Sequence, residues 1–337
     1  MFEQLKNAKR LLMESDLKPV QGNRFQPTGF PDIGAAEYKL ADGTRMLLVE
    51  SAQSMANHLE RAILNANGEV IEGFEGLSYV RAIIDGKACT TTTSLIEAHR
   101  INSPWIINSI KPMLVEEMGF VNDSVTSIDW QKVAKVLFKY DMNSLLHGVF
   151  LVGVDSRLKV PRALSAFIEA TNIQESVSGG AKFDHIDPTG KAVAPEKKTK
   201  QDVLGNIPFQ RIEYTAENIK AYFNLDLGLI KSYELGPDAF DVLVALSIIK
   251  IYRFLNEGTR LRTACDLKMK GPLMVEEPQG FKLPEEKDLM AYIQEKINAC
   301  KGLLADPPVT EIRVKAVASK KASDEDEEGA EIEEPEE

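Results

Sequence analysis

The sequence predicts an α+β protein with a βαββαβ order of elements, the pattern of ferredoxin-like and RNA-recognition-type sheets. Three observations predict this order. An apolar strand and an amphipathic helix stand early in the chain; two further strands follow a large insertion; a long apolar helix and a short last strand complete the series. The chain has 337 residues, of which 44% are hydrophobic, so it is long enough to bury one large core.

The first strand and helix are predicted from an apolar run and a helical stripe. "TRMLLVES", residues 44–51, is apolar enough for a buried strand, and Ser51 is suited to cap the helix that follows, residues 52–66. Upstream, residues 2–13 are predicted to form a short amphipathic helix. Residues 17–36, rich in proline and glycine, are predicted to form an irregular loop, because proline fits neither a helix nor a strand interior.

Several short elements are predicted between the first helix and the second strand of the pattern. They are a strand at residues 78–85, helices at residues 94–100 and 129–140, and a strand at residues 147–153. Because they interrupt the βαββαβ order, they are interpreted as an insertion into it.

The second half of the chain has the clearest periodicity. Residues 162–170 and 218–230 are predicted strands, and in the second of these apolar residues occupy every odd position from Ile219. A helix at residues 238–258 is apolar nearly all round and is therefore expected to be buried. "RLRTACDLKMKG", from Arg260, is the predicted last strand, and a late amphipathic helix follows at residues 285–303.

Two segments have compositions unlike a packed core. Residues 176–206 are rich in glycine, lysine, proline and aspartate, and a loop of that length is usually functional or disordered. The last segment, residues 323–337, carries ten acidic residues and no basic one, which predicts a disordered acidic tail. The net charge is −11, so the rest of the chain is nearly neutral, and the overall charge does not argue against a nucleic-acid partner.

The sequence contains none of the familiar catalytic or cofactor-binding motifs. The three cysteines have no zinc-binding or redox spacing, so neither a metal nor a cofactor is expected. The first residues lack the apolar core of a signal peptide, and the longest apolar run, residues 242–249, is too short to cross a bilayer. A cytoplasmic protein without a membrane partner is therefore expected.

The polar candidates for ligand binding are arginines and one helix face. Arg24 lies beside Phe25 in the stiff loop at residues 17–36, where glycines allow backbone amides to approach a phosphate. In that interpretation Phe25 either stacks on a base or anchors the loop. The alternative is a loop that only crosses one end of the sheet, with Phe25 and Phe30 buried and Arg24 in a salt bridge.

The other candidate residues each have a structural explanation as well as a functional one. Gln53, Asn57 and Arg61 are spaced i, i+4, i+8 and therefore share one helix face, which is either solvated or bound to ribose and phosphate. His99 needs a partner to act as a catalytic base, and the sequence supplies none. His147, at a predicted strand start, is more simply a packing residue.

Seven segments in order resemble one known family. They are "LKPVQGNRFQPTGFPDIGAA", "LLVESAQSMANHLE", "SLIEAHRINSPWI", "NSLLHGVFL", "RALSAFIEA", "IPFQRIEYTAENIKAYFNLDLGLI" and "RFLNEGTRLRTACDL". From about residue 17 to about residue 267, the chain resembles the Csb-type backbone subunit of type I-G (formerly I-U) CRISPR Cascade complexes, a Cas-seven-type member of the RAMP superfamily.

The resemblance implies one domain over residues 1–322 in which a ferredoxin-like palm, at about residues 40–66 and 160–270, carries inserted finger and thumb elements. The finger is expected at about residues 70–150, the thumb at about 176–206 and a C-terminal helix at about 285–303. The implied partners are CRISPR RNA, the target DNA strand paired to it, further copies of the chain and other Cascade subunits.

The resemblance implies a scaffold for the guide RNA and not an enzyme. The expected RNA-binding residues, chosen by their chemistry within the matching segments, are Arg24, Phe25, Gln26, Gln53, Asn57, Arg61, His99, Arg100, Arg162, Lys182, Arg211, Arg260 and Arg262. One alternative is a RAMP-type endoribonuclease that processes CRISPR RNA with His99 as its base. Another is a small-molecule enzyme on a ferredoxin-like fold.

Overall fold

A computed structural model describes residues 1–30, 34–85, 90–120, 127–186, 188 and 206–315. Its strands are β1 (Arg10–Pro19), β2 (Gly29–Phe30), β3 (Gly34–Ala35), β4 (Glu37–Lys39), β5 (Arg45–Glu50), β6 (Tyr79–Asp85), β7 (Thr90–Thr93), β8 (Val149–Phe150), β9 (Lys159–Val160), β10 (Leu164–Thr171), β11 (Gln174–Lys182), β12 (Ile207–Thr215), β13 (Asn218–Asp226), β14 (Arg260–Arg262), β15 (Cys265–Met269), β16 (Met274–Glu277) and β17 (Val309–Lys315).

The α-helices are α1 (Glu3–Lys6), α2 (Ala52–Arg61), α3 (Pro104–Met118), α4 (Trp130–Asp141), α5 (Asn143–His147), α6 (Leu227–Ser232), α7 (Pro237–Glu257) and α8 (Glu286–Ala299). Short 3-10 turns cover Arg100–Asn102 and Lys301–Leu303. No helix of the described part of the chain is long and apolar enough to cross a membrane.

The main sheet has the order β14-β15-β1-β13-β10-β5-β4, and β16 also pairs with β1. Every pairing in it is antiparallel, as where Met13 lies opposite Phe223 and Phe223 lies opposite Ala166. One face carries the buried side chains of alternate residues, and the other face is open. A sheet with one packed and one open face is common among antiparallel sheets.

The position of β1 corrects the sequence-based order. The helix expected at residues 2–13 is wrong: α1 spans only Glu3–Lys6, and β1 runs through Arg10–Pro19. β1 is central because its alternate residues, from Leu11 to Leu17, are buried against the core, a two-residue period that a short helical stripe resembles. β5, expected to be the first strand of the pattern, lies instead beside β10, so the sheet predicted from residues 40–66 and 160–270 also includes β1.

Helices cover the buried face of the sheet. α2 packs against β10 and α7, and α8 packs against α7. α7 is buried along most of its length, as its all-round apolar sequence predicts. Ser51 caps α2, with its hydroxyl accepting a hydrogen bond from the Ser54 amide at 3.3 Å.

The insertion between α2 and β10 forms a second layer. A small sheet with the order β17-β6-β7 packs against α3 and α4, and β17, from the end of the described chain, pairs parallel with β6. The helix expected at residues 94–100 is wrong: turns occupy this region and α3 begins at Pro104, where Ser103 caps it. The strand expected at residues 147–153 is reduced to Val149–Phe150.

β11 and β12 form a two-stranded hairpin that continues from β10 and β13. Residues 176–206 were expected to lack regular structure, but the segment begins inside a strand that pairs with Ile207–Thr215. Most of the remaining predicted thumb, and the acidic tail at residues 323–337, lie outside the described residues.

Candidate nucleic-acid interface

The loop after β1 is held against three strand ends by its backbone. The Phe25 amide donates to the Tyr214 carbonyl at 2.9 Å, and the Tyr214 amide donates back to Phe25 at 2.8 Å. The Gln26 amide donates to the Ala264 carbonyl at 2.8 Å, and the Thr28 amide donates to the Val49 carbonyl at 3.0 Å. Residues 24–28 therefore cross the sheet end as a bonded segment and not as a free loop.

Phe25 is only 1% exposed, so it anchors this segment in the core and does not present its ring to a ligand. The anchoring alternative considered from the sequence is thus the one observed for Phe25. The predicted burial of Phe30 concerns a side chain outside the described part of the chain.

Two arginines converge on one carboxylate beside this loop. Arg24 Nη1 lies 3.5 Å from Glu213 Oε2, and Arg211 Nη2 lies 2.7 Å from Glu213 Oε1. Glu213 is buried, whereas 55% of the Arg24 side chain and 37% of the Arg211 side chain are exposed. The buried Nε of Arg211 has no hydrogen-bond partner among the described residues. Because both guanidinium side chains are partly exposed, each has donors that a further anion can reach.

A polar cleft of about 370 Å³ opens at these arginines. Its lining is formed by Pro19, Val20, Gln21, Gly22, Asn23, Arg24, Arg211, Glu213, Thr263, Ala264 and Asp266. Guanidinium groups and side-chain amides are donors that match the oxygens of a phosphodiester. Gly22 has φ of +66°, a conformation that glycine adopts without strain and that lets the backbone turn at the cleft wall.

Arg262 closes the other side of the loop. Its guanidinium donates to the carbonyls of Gln26 at 3.0 Å and Val49 at 3.2 Å, and it forms an ion pair with buried Glu50. A second cavity of about 490 Å³, which Gln26 and Arg262 help to line, lies here. Arg262 therefore holds the loop against β5, while Gln26 borders open space.

The polar face of α2 starts next to this junction, because β5 ends at Glu50 and α2 begins two residues later, at Ala52. Gln53, Asn57 and Arg61 are all exposed on it, and none forms a side-chain hydrogen bond or ion pair within the described chain. From Gln53 to Arg61, these three residues span roughly 12 Å along the helix axis. His99, which precedes the 3-10 turn, is also exposed.

Arg100 and Arg162 face inward. Arg100 forms a two-point ion pair with Glu60, at 2.7 and 2.9 Å, and donates to the Gly148 carbonyl at 2.9 Å. Arg162 donates to the Ala52 carbonyl at 2.8 Å and to the His147 carbonyl at 3.3 Å. These contacts tie the inserted layer to α2, so both arginines have structural partners that the sequence alone did not indicate.

Lys250 lies at the centre of the same buried network. Its Nζ contacts the Asn143 side chain and lies 2.9 Å from His147 Nε2, while Asn143 donates to Glu60 at 3.0 Å. Burial lowers the pKa of Lys250 to about 7 and raises the pKa of nearby Asp141 to about 7. The sequence signal for Lys250 was a single lysine within an apolar helix, and sequence reasoning missed it.

The hairpin presents a basic and aromatic face. Lys182 lies opposite Ile207, Gly180 opposite Phe209, and Ser178 opposite Arg211, so Lys182, Phe209 and Arg211 share one face. Phe209 is 52% exposed and its ring lies over Gly180. At the hairpin base, the Tyr214 hydroxyl donates to Glu37 at 2.5 Å, and Arg45 bonds both Glu37 and Glu175. The hairpin is therefore fixed to β4 and β5 at its root.

Arg260, the last sequence-predicted residue, is exposed on β14 at the sheet edge. The described residues contain no cluster of histidine, cysteine and carboxylate side chains arranged to bind a metal ion. The structure thus brings Arg24 and Arg211 together at one cleft and Gln26 and Arg262 together at a second cavity, and it directs Arg100 and Arg162 away from the surface.

The loop and the first strands of this site lie in a segment with a recognisable family signature. Residues 11–175 match the family model of CRISPR-associated protein GSU0053. The match covers just under half of the chain and includes Arg24, α2 and His99. It supports the CRISPR association implied by the sequence resemblance. No curated protein matches the chain.

Two of the solved structures that match this chain are of CRISPR proteins. One is a chain of "CRISPR RNA-guided surveillance complex, pre-nicking", with 12% identity and a TM-score of 0.40 over 87% of this chain and 89% of that one. The other is Csc2 of Thermofilum pendens, with 9% identity and a TM-score of 0.31 over 87% of this chain and 76% of that one.

Proposed function

We propose that this protein is the CRISPR RNA-binding backbone subunit of a type I-G Cascade complex. The observation that carries the proposal is the cleft in which Arg24 and Arg211 converge, with one wall contributed by the segment that matches a CRISPR-associated family. The ligand is the phosphate backbone of the guide, because guanidinium groups recognise phosphate by charge and by paired hydrogen bonds.

The sheet order supports a ferredoxin-like palm. The four strands of the proposed βαββαβ unit are β1, β10, β13 and β15, and its two helices are α2 and α7. Across the sheet these strands stand in the order β15-β1-β13-β10. This is the arrangement of a βαββαβ sheet, and all its pairings are antiparallel. On this scheme the layer between α2 and β10 is the finger, and the β11–β12 hairpin is the root of the thumb.

A backbone subunit needs shape and charge but no reading of bases. In an RNA-guided complex, base pairing supplies sequence specificity, and the protein holds the guide through its sugar-phosphate backbone. Arg24, Arg211 and the polar face of α2 are suited to this task, since their free donors fit phosphate and ribose oxygens. Target DNA then pairs with the guide, and further copies assemble head to tail along it.

We infer a binding role and not catalysis. The alternative, an endoribonuclease, requires a general base at His99 held by a partner. The side chain of His99 forms no hydrogen bond or ion pair with the described residues, so no observation favours that alternative.

Two measurements test the proposal. The chain is co-expressed with its partner subunits and a CRISPR array, and the copurified RNA is sized and sequenced; guide-length RNA is expected. Mass photometry with guides of increasing length should then give oligomers whose mass rises with RNA length. A protein that copurifies without RNA, or a fixed dimer at every RNA length, would contradict the proposal.

A further inference from the structure

Four cations lie together on the open face of the main sheet, at its β14–β15–β1 corner. Lys18 stands directly opposite Lys268, Lys270 follows two residues later, and Arg260 stands opposite Asp266. Residues directly opposite share a face, and alternate residues of a strand return to it, so Lys18, Arg260 and Lys268 point the same way. Lys270 is one residue beyond β15, and its amide donates to the Asp16 carbonyl at 2.8 Å, which continues the pairing with β1. All four are exposed. We call Lys18, Arg260, Lys268 and Lys270 the basic strip.

The basic strip has no partner within the described chain. None of its four side chains forms an ion pair or hydrogen bond there, although Asp266 stands opposite Arg260 and the Lys270 amide bonds the Asp16 carbonyl. Asp16 lies 3.9 Å from Lys220 instead. Two lysines directly opposite one another repel and therefore destabilise the sheet. Folding alone gives no reason for this arrangement.

Protection of a sheet edge does not explain Lys18, although Arg260 lies on the edge strand β14. Lysines on edge strands prevent edge-to-edge aggregation. However, Lys18 is on β1, which pairs with β13 on one side and with β15 and β16 on the other. Lys18 is paired with Lys268 of β15 and does not lie on an edge strand, so edge protection does not account for its charge.

The strip adjoins the arginine cleft. Pro19, next to Lys18, and Asp266, opposite Arg260, both line that cleft. Farther along the same face the charges are already paired, as where Lys220 contacts Glu14 at 2.7 Å. We propose that the basic strip is a second phosphate-binding site, which holds the nucleic-acid strand where it leaves the cleft. The inference rests on the proposed function, because it takes nucleic acid as the ligand.

The test compares two triple variants of the full chain. Lys18→Gln, Lys268→Gln and Lys270→Gln are combined in the strip variant. The matched control combines Lys111→Gln, Lys287→Gln and Lys301→Gln, which removes the same charge from exposed positions on α3, α8 and the 3-10 turn after it. Affinity is measured against salt concentration for labelled single-stranded RNA, alone and annealed to a complementary DNA strand.

We expect the strip variant to flatten the plot of log affinity against log salt by about 2, the value for three lost phosphate contacts on a single strand. Its melting temperature without nucleic acid should stay equal or rise, because the opposed lysines no longer repel. The control should match the wild type in affinity and slope.

The two probes identify the strand that is bound. A lower affinity and a flatter salt slope with the single-stranded RNA probe assign the strip to the guide. If both change only with the annealed probe, the strip is assigned to the target strand. Unchanged slopes with both probes overturn this inference while leaving the cleft intact. Failure of the wild type to bind either probe overturns the proposed function, which the wild-type measurement reveals separately.

Discussion

Arg24 provides the sharpest test of the cleft. In Arg24→Ala the guanidinium group that faces the cleft is removed, and the loop backbone keeps its bonds to Tyr214 and Ala264. Phe25 stays buried as the anchor of the loop. The substitution therefore removes a proposed phosphate donor without removing the contacts that hold the loop in place.

The effect on stability should be small. The Arg24 side chain is 55% exposed and its ion pair with Glu213 measures 3.5 Å, so the pair contributes roughly 0–1 kcal/mol. Glu213 keeps Arg211 at 2.7 Å and is not left as an unpaired buried carboxylate. For a protein of this size, the melting temperature should fall by no more than about 3 °C.

The effect on RNA binding should be larger. A hydrogen bond to a charged group contributes about 1.5–3 kcal/mol, so the affinity should fall roughly 10- to 150-fold. Removal of one phosphate contact should also reduce the salt slope by about 0.7 for a single strand. The dissociation constant of labelled guide RNA is measured by fluorescence anisotropy over a series of salt concentrations, with thermal melts alongside.

Arg313→Ala is the matched control. Arg313 is also exposed and lies 3.6 Å from its partner Asp85, but it belongs to β17 of the inserted layer. It should lower neither the affinity nor the salt slope. If Arg24→Ala loses stability while the folded fraction binds RNA as the wild type does, the loop has only a packing role and the reasoning about the cleft is wrong.

Three further predictions concern other parts of the chain. Arg61→Ala should weaken RNA binding and lower the salt slope by about 0.7 without changing the melting temperature; an unchanged slope in the same titration would assign this helix face to solvent. Deletion of residues 324–337 should leave the melting temperature unchanged and RNA affinity equal or higher, most visibly at low salt, because ten acidic residues repel phosphate; weaker binding after the deletion would give the tail a positive role. Between about pH 7 and pH 10.5, Lys250 is neutral in the folded chain and protonated in the unfolded chain, so the free energy of unfolding should rise with pH by up to about 1.4 kcal/mol per pH unit. Lys250→Met should abolish this rise. Denaturant melts across that pH range check this, and a rise that persists in the variant would contradict the assignment to Lys250.

The elements with strong local patterns were predictable. α2, β13 and α7 follow from a capped amphipathic stripe, a strict two-residue alternation and an all-apolar run, and all three begin within one residue of the predicted position. The strand predicted over residues 218–230 ends at Asp226, because α6 begins at Leu227. β1 was not predictable, because a short run with alternate apolar residues fits a helix end as well as a strand. Only its pairing with β13 on one side and β15 on the other makes it the central strand.

The candidate site divides in the same way. The sequence by itself determined that Arg24 lies in a stiff loop and that Gln53, Asn57 and Arg61 share a face, since both depend on neighbouring residues alone. Only the tertiary structure decided which arginines stay exposed, because their partners are remote in the chain. Glu213 brings Arg24 and Arg211 together, whereas Glu60 and the carbonyls of Gly148 and Ala52 hold Arg100 and Arg162 inward. An arginine looks alike in sequence in both settings, and both partner carboxylates, Glu213 and Glu60, are buried. The difference is the exposure of the arginine itself, because 55% of the Arg24 side chain is exposed but only 15% of the Arg100 side chain.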